Sequence, residues 1–150
     1  MHNIKILTTA LAAIILGVLP VWAMAAGDNN GEDLVLRAIM RDMASDMRKI
    51  TDGIVLEEWQ AIAEAAARIA DHRKPPLAER QQIMGFLGNE AGKFKSYDNE
   101  VHLAAGELSE AAMREDGTAV IDSFAKVQSG CLACHGQFRN TILEHFYGNQ

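Results

Sequence analysis

Apolar residues recur along most of the chain in steps of three and four, the spacing of one face of an α-helix. The clearest stripe takes steps of four, three, four and three along Leu36, Met40, Met43, Met47 and Ile50. No stretch alternates between apolar and polar residues as a strand that faces water on one side would. The pattern therefore predicts an all-α protein.

Two long helices are predicted in the first half. The first carries the stripe just described and stops at Asp52-Gly53, a plausible C-terminal signal. The second covers about residues 55–72 and ends before Pro75 and Pro76, which cannot continue a helix. Its inward face is predicted to hold Trp59, Ile62, Ala66 and Ile69.

Two more long helices follow a short helix in residues 77–92 that breaks at Gly88-Asn89. The third long helix has its stripe between Phe94 and Ala111, and the last is predicted to start with Thr118 as its N-cap. One face of that last helix carries Ile121, Phe124, Gln128, Cys131, His135, Phe138 and Ile142. Four long amphipathic helices with short links predict an antiparallel four-helix bundle. The inward alanines of the second and third helices either allow close helix packing or leave room for a flat ligand.

The first 25 residues are typical of an export signal. Lys5 gives a positive start, residues 6–19 carry no charge, and Ala23-Met24-Ala25 offers the small-x-small pattern that a signal peptidase cleaves. Cleavage after Ala25 leaves residues 26–150 as one domain; cleavage after Ala23 is the alternative. An uncleaved membrane anchor is the other interpretation, although the apolar run is shorter than the ~18 residues that a span usually needs.

The charge of the chain restricts its partners. The net charge is −6, and residues 26–150 carry −7, because one of the fourteen basic residues and none of the twenty acidic ones lie in the signal. An acidic domain repels phosphate backbones, so we expect no nucleic-acid partner. A basic protein or a small neutral ligand suits it better. No second long apolar run follows the signal, so we do not expect the mature protein to be embedded in a membrane.

The candidate chemistry lies in "SGCLACHGQFRN", which holds the chain's only two cysteines, Cys131 and Cys134, directly before His135. Outside the cytoplasm two thiols would normally pair, but a disulfide across two intervening residues closes a tiny loop and adds little stability. On a helix the three side chains share one face. Cys-x-x-Cys-His is the signature of covalent c-type haem attachment, with the histidine as axial iron ligand.

Three other interpretations of the cysteines fit less well. A thioredoxin-like redox pair would need alternating strands and helices around it. A zinc site needs four donors, and no second pair of cysteines or histidines is placed to complete one. The third alternative is a pair of inert buried cysteines.

The sequence resembles the cytochrome c′ family. Its "CLACHGQFR" matches the haem motif on the family's final helix, and its "LRAIMRDMASDM" matches the family's first helix. The resemblance implies one covalently attached haem c, held by Cys131 and Cys134, with His135 on the iron. It places Met40 at the distal position, which in the low-spin branch of the family coordinates the iron; Met43 is the alternative. A thioether ligand favours ferrous iron and raises the reduction potential.

Further residues are candidates for lesser roles. The family keeps an aromatic and a basic residue at the positions of Phe138 and Arg139, and an arginine at the position of Arg37, which could reach a haem propionate. Each could also be an ordinary core or surface residue. Bis-histidine ligation of the iron is an alternative to methionine. Its candidate ligands are His72, His102 and His145.

The expected function is that of a periplasmic one-electron carrier that transforms no substrate. Its expected partners are basic redox proteins, and the resemblance also implies homodimers through the first two helices. Five-coordinate iron that binds nitric oxide or carbon monoxide is the alternative, if Met40 only packs. A peroxidase would need a distal acid–base pair, which the inward face of the first helix does not offer.

Overall fold

The structure, a computed structural model, describes residues 33–148. The predicted signal peptide, residues 1–25, lies outside this range. Within it the six helices are α1 (Val35–Leu56), α2 (Trp59–Ala70), α3 (Leu77–Leu87), α4 (Ala91–Met113), α5 (Gly117–Cys134) and α6 (Asn140–Tyr147). A 3₁₀ turn, Gly88–Glu90, joins α3 to α4, and a π-helical turn, His135–Arg139, joins α5 to α6 without a break.

The described residues form no strand, and the four long helices α1, α2, α4 and α5 pack as a bundle. Helix α1 packs against α2, α2 against α4, and α4 against α5. Contacts across each interface run in opposite directions along the two helices: Asp46–Arg68 and Gly53–Ile62, Ala63–Ser109 and Ala70–His102, Val101–Gly130 and Lys93–Gln137. The neighbouring helices are therefore antiparallel, and the predicted all-α four-helix bundle is confirmed.

Small residues hold the central helices close together. The buried residues of α2 and α4 are mostly alanines, namely Ala63, Ala65, Ala66, Ala104, Ala105, Ala111 and Ala112. They belong to the main core, which also contains Ile50, Ile62, Ile69 and Leu108. None of them lines the large cavity described below. Of the two interpretations of the alanines, the structure therefore supports close helix packing.

The predicted end of the first helix is wrong. Helix α1 continues through Asp52 and Gly53 to Leu56 and ends at Glu57, which is left-handed with φ 54° and donates its backbone N–H to the carbonyl of Gly53. Gly53 does not end the helix but allows α1 and α2 to pack closely. A Cβ atom there would lie 2.7 Å from Cγ1 of Ile62, so the missing side chain lets α2 approach α1.

The predicted start of the last long helix is also wrong. Asp116, not Thr118, is the N-cap, since its carboxylate accepts the backbone N–H of Ala119 at 3.1 Å. The predicted inward face is displaced as well. Ile121 is 52% exposed, whereas Val120 beside it is buried. The buried residues of α5 are Val120, Ser123, Val127 and Gly130, each one position before a predicted inward residue, so the face is shifted by one position along the whole helix.

A smaller apolar cluster lies beside the main core and supports the C-terminal end of the chain. Its buried members are Ile83 and Leu87 of α3, Phe138 of the π-helical turn and Ile142 of α6. We call it the second cluster. The ring of Phe94 on α4 meets that of Phe138 edge to face, with centroids 5.4 Å apart. These contacts fix the chain directly after His135. No helix of the described residues combines the length and the apolar character needed to cross a membrane.

Candidate functional site

The two cysteines occupy the last turn of α5, and both are free thiols. Cys131 is partly buried against the main core, and Cys134 is partly buried against the second cluster. Gly130 brings this turn against α4, because a Cβ atom on Gly130 would lie 2.8 Å from Cγ2 of Val101. The close approach of the two helices thus places the thiols.

The helix changes its winding at the histidine. Residues His135–Arg139 form a π-helical turn, a rare form that occurs often at functional sites. Its wider winding leaves Phe138 buried in the second cluster, while His135 and Arg139 stay exposed. This turn could not be predicted, since the apolar steps across it fit an ordinary α-helix.

Beside this turn lies a cavity of about 1130 Å³. Met40 of α1, Cys134 of α5 and His135 all line it. Much of its remaining wall is apolar and comes from Leu36, Ile83, Met84, Phe94, Phe138 and Ile142. Ligand sites are commonly ~300–1,000 Å³, so the cavity has room for a large flat organic group.

Basic side chains surround the cavity of this acidic protein. They belong to Arg37, Arg41, Lys74, Arg80, Lys95 and Arg139, whereas Asp98 and Glu144 are the carboxylates that line it. Arg37 already has partners, since it pairs with Asp33 at 2.8 Å and lies 5.1 Å from the ring centroid of Tyr147. The excess of cations favours a ligand that carries carboxylates.

Glu79 is a positioning residue that the sequence did not reveal. Its two carboxylate oxygens accept the backbone N–H groups of Val35 and Leu36, each at 2.8 Å. These donors belong to the first turn of α1, where helical N–H groups lack partners within the helix. The contact joins α3 to the start of α1 and holds two walls of the cavity together. No local sequence signal could have paired residues so far apart.

The three methionines of the α1 stripe have different surroundings. Met40 lines the cavity, whereas Met43 and Met47 pack against the main core. All three are partly buried. Met40 is therefore the one of these three methionines whose side chain lines the same cavity as His135.

The surroundings of the thiols and the imidazole favour their neutral forms. Burial raises the pKa of Cys131, and burial followed by the charge of Asp98 raises the pKa of Cys134 to about 11. Partial burial lowers the pKa of His135, and the charge of the Arg139 guanidinium lowers it further. A neutral imidazole has a free lone pair, which a metal ligand requires.

The other candidate histidines differ in position. His72 lines the cavity and interacts through Nε2 with Asp98 at 3.3 Å. Nε2 of His102 lies 3.4 Å from the other oxygen of the same carboxylate. Neither His102 nor His145 lines the cavity. The ring of His145 stacks on Phe86, with centroids 3.7 Å apart. The grouping of His72, Asp98 and His102 was not predicted, although Asp98 and His102 stand at the i, i+4 spacing of one helix face.

Comparisons of the chain with protein-family models, with curated proteins and with solved structures gave no match.

Proposed function

We propose that this protein is a c-type cytochrome that carries one electron, similar to the low-spin branch of the cytochrome c′ family. Cys131 and Cys134 would hold one haem covalently, and His135 and Met40 would be the axial ligands of its iron. One observation carries the proposal. A thiol and the adjacent imidazole of a Cys-x-x-Cys-His motif share an apolar cavity with Met40, a residue of the first helix.

The residues around the cavity suit a haem. Apolar walls fit the faces of a porphyrin and exclude water, and the basic rim suits its two propionates. Each thiol would add across one vinyl group, with its sulfur bonding to one carbon and its proton moving to the other. This addition needs no oxidant and releases nothing. Cys131 lies outside the cavity lining but precedes Cys134 by three residues, so both side chains stand on one side of the helix.

The bundle would hold the two ligand side chains on different elements, Met40 on α1 and His135 in the π-helical turn. Phe138, buried in the second cluster, anchors the π-helical turn that carries His135. Glu79 fixes the start of α1, which carries Met40. The cofactor would supply an iron that changes between its ferrous and ferric states. Ligands on packed helices need to move little between these states, which suits rapid electron transfer.

The proposed location is the periplasm, because covalent haem attachment occurs outside the cytoplasm and residues 1–25 have the pattern of an export signal. The proposed partners are basic redox proteins. Their encounters with residues 26–150, which carry a net charge of −7, would be fast at low salt and weaken as salt screens the charges.

Production of the whole chain in a host with haem-attachment machinery tests the proposal. We expect a mass equal to the mature polypeptide plus one haem, and a haem absorption spectrum that survives denaturation. The Cys131→Ala/Cys134→Ala double variant should lose the covalent haem, whereas His145→Gln, which changes a histidine outside the cavity, should keep it. A mature chain with the mass of the polypeptide alone would overturn the proposal.

A further inference from the structure

Three potential metal ligands meet at the junction between the end of α2 and the middle of α4. His72 follows α2, and Asp98 and His102 are one turn apart on α4. Nε2 of His72 lies 3.3 Å from Oδ1 of Asp98, and Nε2 of His102 lies 3.4 Å from Oδ2. One ligand atom from each residue can be chosen so that all three lie within 4.8 Å of one another.

The backbone determines which nitrogen of each ring carries a proton. Nδ1 of His72 contacts the carbonyl of Arg73 at 2.9 Å, and Nδ1 of His102 contacts the carbonyl of Ala70. A carbonyl oxygen only accepts hydrogen bonds, so both Nδ1 atoms are the donors. In a neutral imidazole the other nitrogen, Nε2, then carries a lone pair. Two lone pairs therefore face one carboxylate, and this arrangement needs a cation or added protons between them.

The same arrangement is common around bound metals. Ligating histidines almost always donate their second ring N–H to a carbonyl or a carboxylate, which fixes the ring and its tautomer. Ligand atoms around a tetrahedral zinc ion, with bonds of about 2.0–2.1 Å, lie about 3.3 Å apart. Each Nε2 atom lies at about this distance from a different oxygen of Asp98, and the three ligand atoms within 4.8 Å of one another need to move little to reach one ion. The two rings also stack, with centroids 4.6 Å apart, so they present their Nε2 atoms side by side.

We propose that His72, Asp98 and His102 bind a divalent transition metal ion, with Zn²⁺ and Cu²⁺ as the ions that two imidazoles and a carboxylate prefer. The site is open enough for an ion to enter, because the side chains are 10%, 46% and 24% exposed in that order. Three protein ligands leave a fourth position for water or an outside ligand. None of its three residues is a proposed haem ligand, although His72 and Asp98 also line the large cavity.

Isothermal titration with zinc chloride tests the site in the mature chain, purified without a histidine tag and freed of metal with a chelator. We expect one zinc ion per chain. Loss of a partner outside the coordination shell commonly weakens metal binding about 10–100-fold, so His102→Gln should weaken it at least that much. Asp98→Asn, which keeps the shape of the side chain, should do the same. His145→Gln and Asp52→Asn are matched controls that should leave the affinity unchanged.

A second measurement needs no variant and so does not depend on the folding of one. The electron paramagnetic resonance spectrum of the unaltered chain with one equivalent of Cu²⁺ should show hyperfine coupling to two imidazole nitrogens. No zinc binding, equal affinity in His102→Gln, or copper coupled to fewer than two nitrogens would overturn the site. If haem attachment fails, the free thiols of Cys131 and Cys134 could bind a further zinc ion. The loss of one zinc ion per chain in His102→Gln, relative to the unaltered chain in the same haem state, is therefore the readout that tests this site, and the two proposals fail separately.

Discussion

Met40 on α1 and His135 in the π-helical turn line one cavity, although they belong to helices at opposite ends of the chain. Met43 and Met47, on the same helix as Met40, pack instead into the main core. A single stripe of methionines therefore has two environments, and in one of them a thioether shares a cavity with an imidazole. This difference allows a matched pair of variants.

Met40→Leu should convert the proposed low-spin haem iron to high-spin iron that binds carbon monoxide. The fold should survive, since the exchange nearly conserves side-chain volume. Visible spectra of the oxidised and reduced protein, with and without carbon monoxide, check this. Met43→Leu is the control and should leave the spectrum as it is, because Met43 contacts the main core.

Two outcomes would contradict the assignment. A high-spin spectrum in the unaltered protein would favour the alternative function, binding of nitric oxide or carbon monoxide. A spectrum altered by Met43→Leu but not by Met40→Leu would show that Met43, one turn further along α1, is the ligand.

Gly130→Ala should destabilise the bundle by about 1–3 kcal/mol, the usual cost of overpacking a core. The new methyl group would lie 2.8 Å from Cγ2 of Val101, a stiff β-branched side chain that cannot turn away easily. Gly106→Ala on α4 is the matched control, since no atom lies within 4 Å of a Cβ there. It should stabilise the helix by about 0.5–1 kcal/mol. Urea unfolding of the two variants compares them, and a Gly130→Ala protein as stable as the unaltered one would refute the close contact.

The bundle could be predicted from the sequence because its helices bury long, regular stripes. Ile62, Ala66 and Ile69 are buried as the steps of three and four indicated. Helix ends were less predictable, since they depend on contacts between helices. Gly53 has the residue type of a helix stop, but its lack of a side chain is used for packing against Ile62.

In the candidate site, too, local features could be predicted and tertiary contacts could not. The order of Cys131, Cys134 and His135 is local and could be read directly. What surrounds them could not. The π-helical turn, the link from Glu79 to the start of α1, and the meeting of His72 with Asp98 all depend on tertiary contacts between distant parts of the chain. The apolar periodicity of a single helix does not indicate which distant residues it will contact.

Glu79→Gln should destabilise the start of α1 by about 1 kcal/mol, because a neutral amide accepts hydrogen bonds less strongly than a carboxylate and offers one oxygen for two donors. The donors are the backbone N–H groups of Val35 and Leu36. Amide hydrogen exchange should quicken at these two residues more than in the middle of α1. Glu110→Gln, which changes an exposed residue of α4, is the control and should change neither stability nor exchange. Unchanged protection in Glu79→Gln would show that the carboxylate does not anchor the helix.

The lowered pKa of Asp46 makes the stability of the bundle depend on pH. Burial would raise the pKa of this carboxyl, but hydrogen bonds from Arg68 and Lys49 outweigh burial and lower it. Its Oδ1 lies 2.9 Å from nitrogens of both residues. A carboxyl whose pKa is lowered by folding stabilises the native state fully above its unfolded pKa of about 3.9, and this contribution is lost as the pH falls through the folded pKa.

Asp46→Asn should therefore cost about 1–2 kcal/mol at neutral pH, a value kept small because both cationic partners are about half exposed. The difference between variant and unaltered protein should shrink as the pH falls below about 3.9. Urea unfolding across this range measures it. Asp52→Asn, an exposed change on the same helix, should show no such trend. A difference that stays constant down to acid pH would mean that shape, and not the charge of Asp46, makes the contribution.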